Sequence, residues 1–143
     1  MDASVRKLFD RYQRSFNRAL IGDIDMDDVA SFYADAFIAA SPAGVRAGSN
    51  DGQGASAIVQ GYEHYRAIAT KQMRIRQLRQ SSVDEHHCVA HVAWTAVYAG
   101  GDGTDVAIDY DVHYLVQQRE GQARIFGWIA GDEQALLRQH GII

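Results

Sequence analysis

The sequence is poor in cysteine and proline: Cys88 and Pro42 are the only examples in 143 residues. A lone cysteine excludes an internal disulfide and fits a reducing compartment. No apolar run approaches membrane-spanning length, and Met1-Asp2-Ala3-Ser4 has neither the basic start nor the apolar stretch of a signal peptide. The expectation is a cytoplasmic protein with no membrane partner. Excess positive charge is also lacking, since the net charge is -4 and no basic run overrides it, which argues against nucleic acid as a partner. The Gly-x-Ser-x-Gly element of serine hydrolases is missing. The glycine-rich stretch from Ala43 to Ser56 is not followed by the Gly-Lys-Ser or Gly-Lys-Thr of a phosphate cradle. His86, His87, Cys88 and His91 invite a metal reading. On a strand, however, His87 and His91 would stand roughly 13 Å apart at about 3.3 Å per residue, too far to share one ion. No metal and no cofactor is expected.

What is present suffices for one domain over residues 1–143, because 47% of the chain is hydrophobic. Val5, Leu8, Phe9, Tyr12, Phe16 and Leu20 recur at helical spacing, which predicts a helix from Ala3 to Ile21 with Arg6, Lys7, Arg11, Arg14 and Arg18 outside, stopped by Gly22. Asp25 caps a short second helix carrying Val29, Phe32 and Tyr33 inward. Phe37 to Ala40 reads as a short strand ended by Ser41-Pro42. Ala43 to Ser56 reads as a mobile loop, either plain surface or a lid. A third helix over Ala57 to Lys71 turns Ile58, Tyr62, Tyr65 and Ile68 inward. Arg74, Arg76 and Arg79 alternate with Met73, Ile75 and Leu78, the pattern of a strand with a charged outer face.

Strands over Val89–Tyr98, Val106–Gln117 and Arg124–Ile129 organise the rest, and Asp132 to His140 makes a short terminal helix or tail. Alternation puts Asp109, Asp111, His113 and Leu115 on one face and Ile108, Tyr110, Val112, Tyr114 and Val116 on the other. A two-residue turn at Asp102-Gly103 would set Trp94 opposite Asp111. One at Glu120-Gly121 would set His113 opposite Trp128 and Leu115 opposite Phe126. An odd number of residues in the first loop would flip these partners and bring His91 to the Asp111 face instead. From alternation alone the acidic face is the wetter one, because the tyrosine face is the more apolar.

The order is two helices, a short strand, a third helix and a long antiparallel meander, an α+β layout with its helices segregated. Tyr12 in the first helix, Gly22-Asp23 and Asp35-Ala36-Phe37 carry a resemblance that covers almost the whole chain. Gly54-Ala55-Ser56-Ala57-Ile58 and Arg124-Ile125-Phe126-Gly127-Trp128 complete it. With these motifs in this order the chain resembles the nuclear transport factor 2-like superfamily of ketosteroid isomerases, scytalone dehydratase and SnoaL-like cyclases. The resemblance implies a cone-shaped, cystatin-like fold with N-terminal helices packed on a curved, mainly antiparallel sheet.

It also implies a pocket for a small-molecule ligand. Asp109, Asp111 and His113 would point into it, with Trp94, Phe126 and Trp128 as walls and Tyr33 nearby. The face from Ile108 to Val116 would then lie outside, covered by a second subunit of a homodimer. Asp111 and His113 become the candidate proton-transfer groups and Tyr12 a hydrogen-bond donor, by analogy with the Tyr and protonated Asp that hold an oxyanion in the resembling isomerases. Those isomerases also place a catalytic Asp near the end of the first strand, where this chain has Ser41. Tyr33, Asp35 and His113 partly match the resembling dehydratase. The implied function is an acid-base isomerase, dehydratase or cyclase acting on a compact, partly apolar substrate. The alternative is a non-catalytic ligand-binding or association domain, since the superfamily contains both.

Overall fold

A computed structural model describes residues 1–143. The amphipathic pattern of the first twenty residues forms helix α1 (Asp2–Leu20), and Gly22 leaves it at φ +87°. Helix α2 (Met26–Ala30) is capped by Asp25, whose carboxylate accepts from the amides of Asp27 and Asp28. Strand β1 (Tyr33–Ser41) turns through Pro42 into β2 (Gly44–Ser49), and helix α3 (Gly52–Ala67) follows. Strands β3 (Thr70–Ser82), β4 (His87–Tyr98), β5 (Val106–Arg119) and β6 (Gln122–Ala130) then lead to helix α4 (Glu133–Gln139). No helix is long and apolar enough to cross a membrane.

The strands make one six-stranded sheet in the order β2-β1-β6-β5-β4-β3, antiparallel except where β1 meets β6. One face packs on α1: Val5 and Phe9 of the helix and Ala90, Val92, Trp94, Val116 and Ile125 of the sheet are all within 1% of complete burial. Burying one such large side chain stabilises the fold by about 1.5–3 kcal/mol. β3 ends the sheet, and α1 also satisfies its free edge. Asn17 accepts from the Met73 amide and donates to its carbonyl, both at 2.8 Å, and Gln13 accepts from the Ile75 amide at 2.6 Å. These bonds seal an edge that would otherwise offer itself to another strand.

Several expectations are corrected. The stretch from Ala43 to Ser56 is strand β2 followed by the first turn of α3, where Asp51 caps the helix by accepting from Gln53 and Gly54. Two glycines of that stretch serve close approach: the Phe37 ring occupies the space a Cβ on Gly48 would need, and the Ser49 carbonyl that of Gly54. Helix α3 also ends earlier than the sequence pattern suggests, and the chain turns at Ala69 (φ 61°) into β3.

The first meander turn is an odd loop. Tyr98 pairs with Val106, and the intervening segment closes on itself through Gly100 N–H to Thr104 O and Thr104 N–H to the Asp102 carboxylate. Trp94 therefore faces Tyr110, Ala93 faces Asp111 and His91 faces His113. The second turn is the two-residue type: Arg119 pairs with Gln122 around Glu120 and Gly121, at φ 53° and 77°. Its register holds as far as Val116 opposite Ile125, after which a bulge at Phe126 shifts it, so that Leu115 faces Gly127 and His113 faces Ile129.

Candidate functional site: an aromatic cavity closed by Glu133

Alternation in β4 and β5 turns Trp94, Tyr110, Val112 and Tyr114 to the inner face, and α1, α3, β1 and β6 arch over them. The result is a cavity of about 540 Å³ walled mainly by apolar and aromatic side chains. Tyr12 and Phe16 enter from α1, Ile58, Tyr62 and Tyr65 from α3, Tyr33 and Phe37 from β1, and Trp128 from β6. The Trp128 ring stacks on Phe37 at 5.4 Å between centroids, and Tyr12 packs against Trp94 at 6.0 Å and Tyr114 at 5.9 Å. The walls are thus held by ring-on-ring contacts before any ligand arrives.

Arg46, Ser49, Asp51 and Gln53 also line the cavity, and two further polar groupings break its apolar walls. In the first, the indole N–H of Trp94 donates to the Tyr114 hydroxyl at 3.1 Å, with Tyr12 and Tyr33 lining the same space. Burial raises the pKa of Tyr12, Tyr33 and Tyr114. These phenols therefore stay protonated, as donors, across the neutral range.

The second grouping centres on Glu133 at the start of α4. Asp132 caps that helix by accepting from the Ala135 amide at 3.0 Å, which fixes the next side chain toward the cavity. The Tyr65 hydroxyl donates to the two Glu133 carboxylate oxygens at 3.3 and 3.2 Å, while the nearby Tyr110 hydroxyl donates to Met73 Sδ at 3.8 Å. Burial pushes the Glu133 carboxyl upward, more strongly than the Tyr65 bond and the neighbouring Tyr110 and His64 pull it down. A carboxyl raised in this way, in a mostly apolar enclosure, is suited to taking and returning a proton.

Of the residues the sequence singles out, Tyr12, Tyr33, Trp94 and Trp128 line the cavity. The placement of the others is corrected. Asp109 and Asp111 lie on the opposite, outer face with side chains 60% and 66% exposed, where Arg76 reaches them at 3.4 and 3.9 Å. Thr95 donates to Asp109 at 2.6 Å on that same face. His113 is outside as well, its Nδ1 2.7 Å from that of His91. Phe126, the bulged residue, is no cavity wall and packs against the His87 ring at 6.0 Å. The tyrosine face expected outside is the inner one, with Ile108, Val112, Tyr114 and Val116 buried.

The cause of the first reversal is the odd loop between β4 and β5. Glu133, Tyr65 and Tyr110 were not among the expected site residues. The apolar character of the tyrosine face, which alternation alone already favours as the buried one, is a signal for Tyr110; Glu133 and Tyr65 lie on α4 and α3 and carry none of it.

A family model described as NTF2-like protein (DUF6841) matches residues 2–133. The chain belongs to this family. Among solved structures, this NTF2-like chain is similar to an NTF2-like protein with a cystatin-like fold from Novosphingobium aromaticivorans, at TM-score 0.70 and 11% identity, over 96% of this chain and 86% of that one. It is also similar to an NTF2-like protein from Shewanella oneidensis, at TM-score 0.69 and 12% identity, over 92% and 98% of the two chains. A ketosteroid isomerase-like protein from Erwinia carotovora atroseptica matches at TM-score 0.62 and 15% identity, over 90% and 93%. At such identities the likeness establishes the fold alone. A comparison with curated proteins gives no match.

Proposed function

We propose that this NTF2-like protein binds a compact, partly apolar small molecule in the inner cavity and moves a proton on it through Glu133. The observation that carries the reading is the Glu133 carboxylate that Tyr65 holds at 3.2 Å in the lining of the aromatic cavity, where burial pushes its pKa upward. In the ionised form it takes a proton from carbon next to a carbonyl, and the electron pair passes to the carbonyl oxygen. A buried phenol, Tyr12 or Tyr33, donates to that oxygen while it carries negative charge. Exchange follows when the carboxyl trades that proton with solvent before returning one to the same carbon, and isomerisation follows when a double bond conjugated with the enolate lets the proton return to a different carbon.

This reading moves the expected acid-base work from Asp111 and His113 to Glu133 and keeps Tyr12 as a donor. It also supplies a carboxyl from a different element than β1, where Ser41 stands. The test is solvent deuterium uptake by 2-tetralone, a bicyclic ketone, followed by proton NMR. Wild type should accelerate uptake at the position next to the carbonyl, and Glu133→Gln should lower that acceleration at least 100-fold. Binding of 2-tetralone without acceleration would favour the second reading, a non-catalytic ligand-binding domain.

We also propose that two copies associate through the outer sheet face. Ile38 and Ile129 are 41% and 48% exposed there, with Leu115 half-buried beside them. Adjacent exposed aliphatic side chains favour cover by a second surface. Sedimentation velocity tests this: Ile129→Asp should leave monomers where wild type forms dimers.

A further inference from the structure

The outer face carries a second polar grouping that the cavity chemistry does not use. His91 on β4 and His113 on β5 are direct cross-strand partners, and their Nδ1 atoms approach to 2.7 Å. The far nitrogen of His91, Nε2, lies 2.8 Å from the Ser81 hydroxyl on β3. Three neighbouring strands thus contribute to one line of groups, and both imidazoles turn the same ring atom toward a common point. One of the two Nδ1 atoms must carry the proton and the other a lone pair, whichever tautomers are chosen.

We propose that His91 and His113 form half of a zinc-type metal site, completed by the same pair from a second copy of this chain across the outer face. The inference rests on the proposed assembly through that face. Zinc takes imidazole nitrogens at about 2.0–2.1 Å in a tetrahedral shell, which separates two such nitrogens by about 3.3 Å. The rings therefore need to open by only about 0.6 Å from their hydrogen-bonded spacing to hold an ion. With both Nδ1 atoms bound to metal, each Nε2 carries hydrogen, and the His91 Nε2–H donates to Ser81. Ligating histidines are typically oriented by a bond of this kind.

Within one chain no third histidine, cysteine or carboxylate converges on the pair. Two donors leave a tetrahedral shell half filled. A twofold partner supplies the same two donors again, since in such an interface each patch meets itself. Ile129, the β6 neighbour of His113 in the ladder, is among the exposed aliphatic residues a second copy would cover.

The probe is zinc chloride added to the full chain after chelator treatment, read by native mass spectrometry for stoichiometry and by sedimentation velocity for assembly. The expected result is one zinc ion per two chains and a dimer tightened at least tenfold by the ion. Zinc binding should be lost in both His91→Ala and His113→Ala. Ser81→Ala, which keeps both ligands, should weaken it by about 10–100-fold. Circular dichroism melts confirm that each variant is folded.

A zinc-independent dimer that takes up no ion would overturn the metal site while leaving the assembly intact. One ion per chain on monomers would overturn both. Undiminished binding in the two histidine variants would place the ion elsewhere, for instance at His86 and His87, and would also overturn the proposal.

Discussion

Two faces of the same strands do opposite things. Trp94, Tyr110 and Tyr114 look inward among other rings, with the Trp94 indole bonded to the Tyr114 hydroxyl and the Tyr110 hydroxyl to Met73. Asp109, Asp111 and His113, each next to Tyr110 or Tyr114 on β5, look outward to Arg76, Thr95 and His91. The acids outside are solvent-exposed with a guanidinium beside them. The acid inside, Glu133, is bonded by Tyr65 in an aromatic cavity, and burial raises its pKa. A row of two acids and a histidine on a strand is thus a weaker pointer to chemistry than a carboxyl facing an aromatic enclosure.

The contrast can be tested first by stability. Trp94→Ala should cost about 3–5 kcal/mol in denaturant unfolding, because it empties the largest fully buried side chain of the inner face. Asp111→Ala should stay within about 0.5 kcal/mol of wild type, as the charge it removes is exposed and its Arg76 contact long. Equal losses would mean that the faces are not so different.

The outer face is not uniformly tolerant. A Cβ on Gly127 would meet Ile38 Cγ1 at 2.8 Å and Leu115 Cδ1 at 3.1 Å. Gly127→Ala should therefore cost about 1–3 kcal/mol by the same measurement.

A smaller effect should appear in the pH dependence. A carboxyl whose folded pKa is raised contributes stability that is fully present below its unfolded value and is lost as pH rises through the folded value. Glu133 is such a group. Glu133→Gln, which stays neutral, should match wild type in acid and gain on it as pH climbs above the ordinary glutamate range. Melts at a series of pH values would show the two curves parting in that direction, and parting the other way would mean that the carboxylate is the stabilised form. Smallest of all, Glu120→Asn should raise stability by about 0.5–1 kcal/mol, since Glu120 sits at φ 53° in a turn that favours Asn-Gly.

Much of this architecture was legible in the sequence. The helical spacing from Val5 to Leu20 gave α1, Asp25 marked the start of α2, and the β-branched runs gave the three strands of the meander. The motif order pointed to the superfamily. The face assignment was harder, because it depends on the parity of one glycine-rich loop, and parity is set by hydrogen bonds such as Asp102 to Thr104 that spacing does not encode. A bulge at Phe126 is equally silent, since nothing in Arg124-Ile125-Phe126-Gly127-Trp128 states that one residue will be skipped. Four expected site residues sit in the cavity because aromatic side chains on Tyr12, Tyr33, Trp94 and Trp128 seek burial whatever the register. Glu133 was hidden, as a lone acid at a helix start looks like an ordinary first-turn residue until the tyrosines around it are seen.

The central claim is that ligand enters on the inner face. The chain has two tryptophans, Trp94 and Trp128, and both line the cavity, so their indole N–H signals report on it directly. A titration of 15N-labelled protein with 2-tetralone should shift both indole signals in wild type. It should shift neither in Gly61→Phe, which fills the cavity from a helix position where a Cβ meets nothing within 4 Å. Indole signals that stay fixed while the amides of Asp109, Asp111 and His113 move would place the ligand on the outer face and contradict the account.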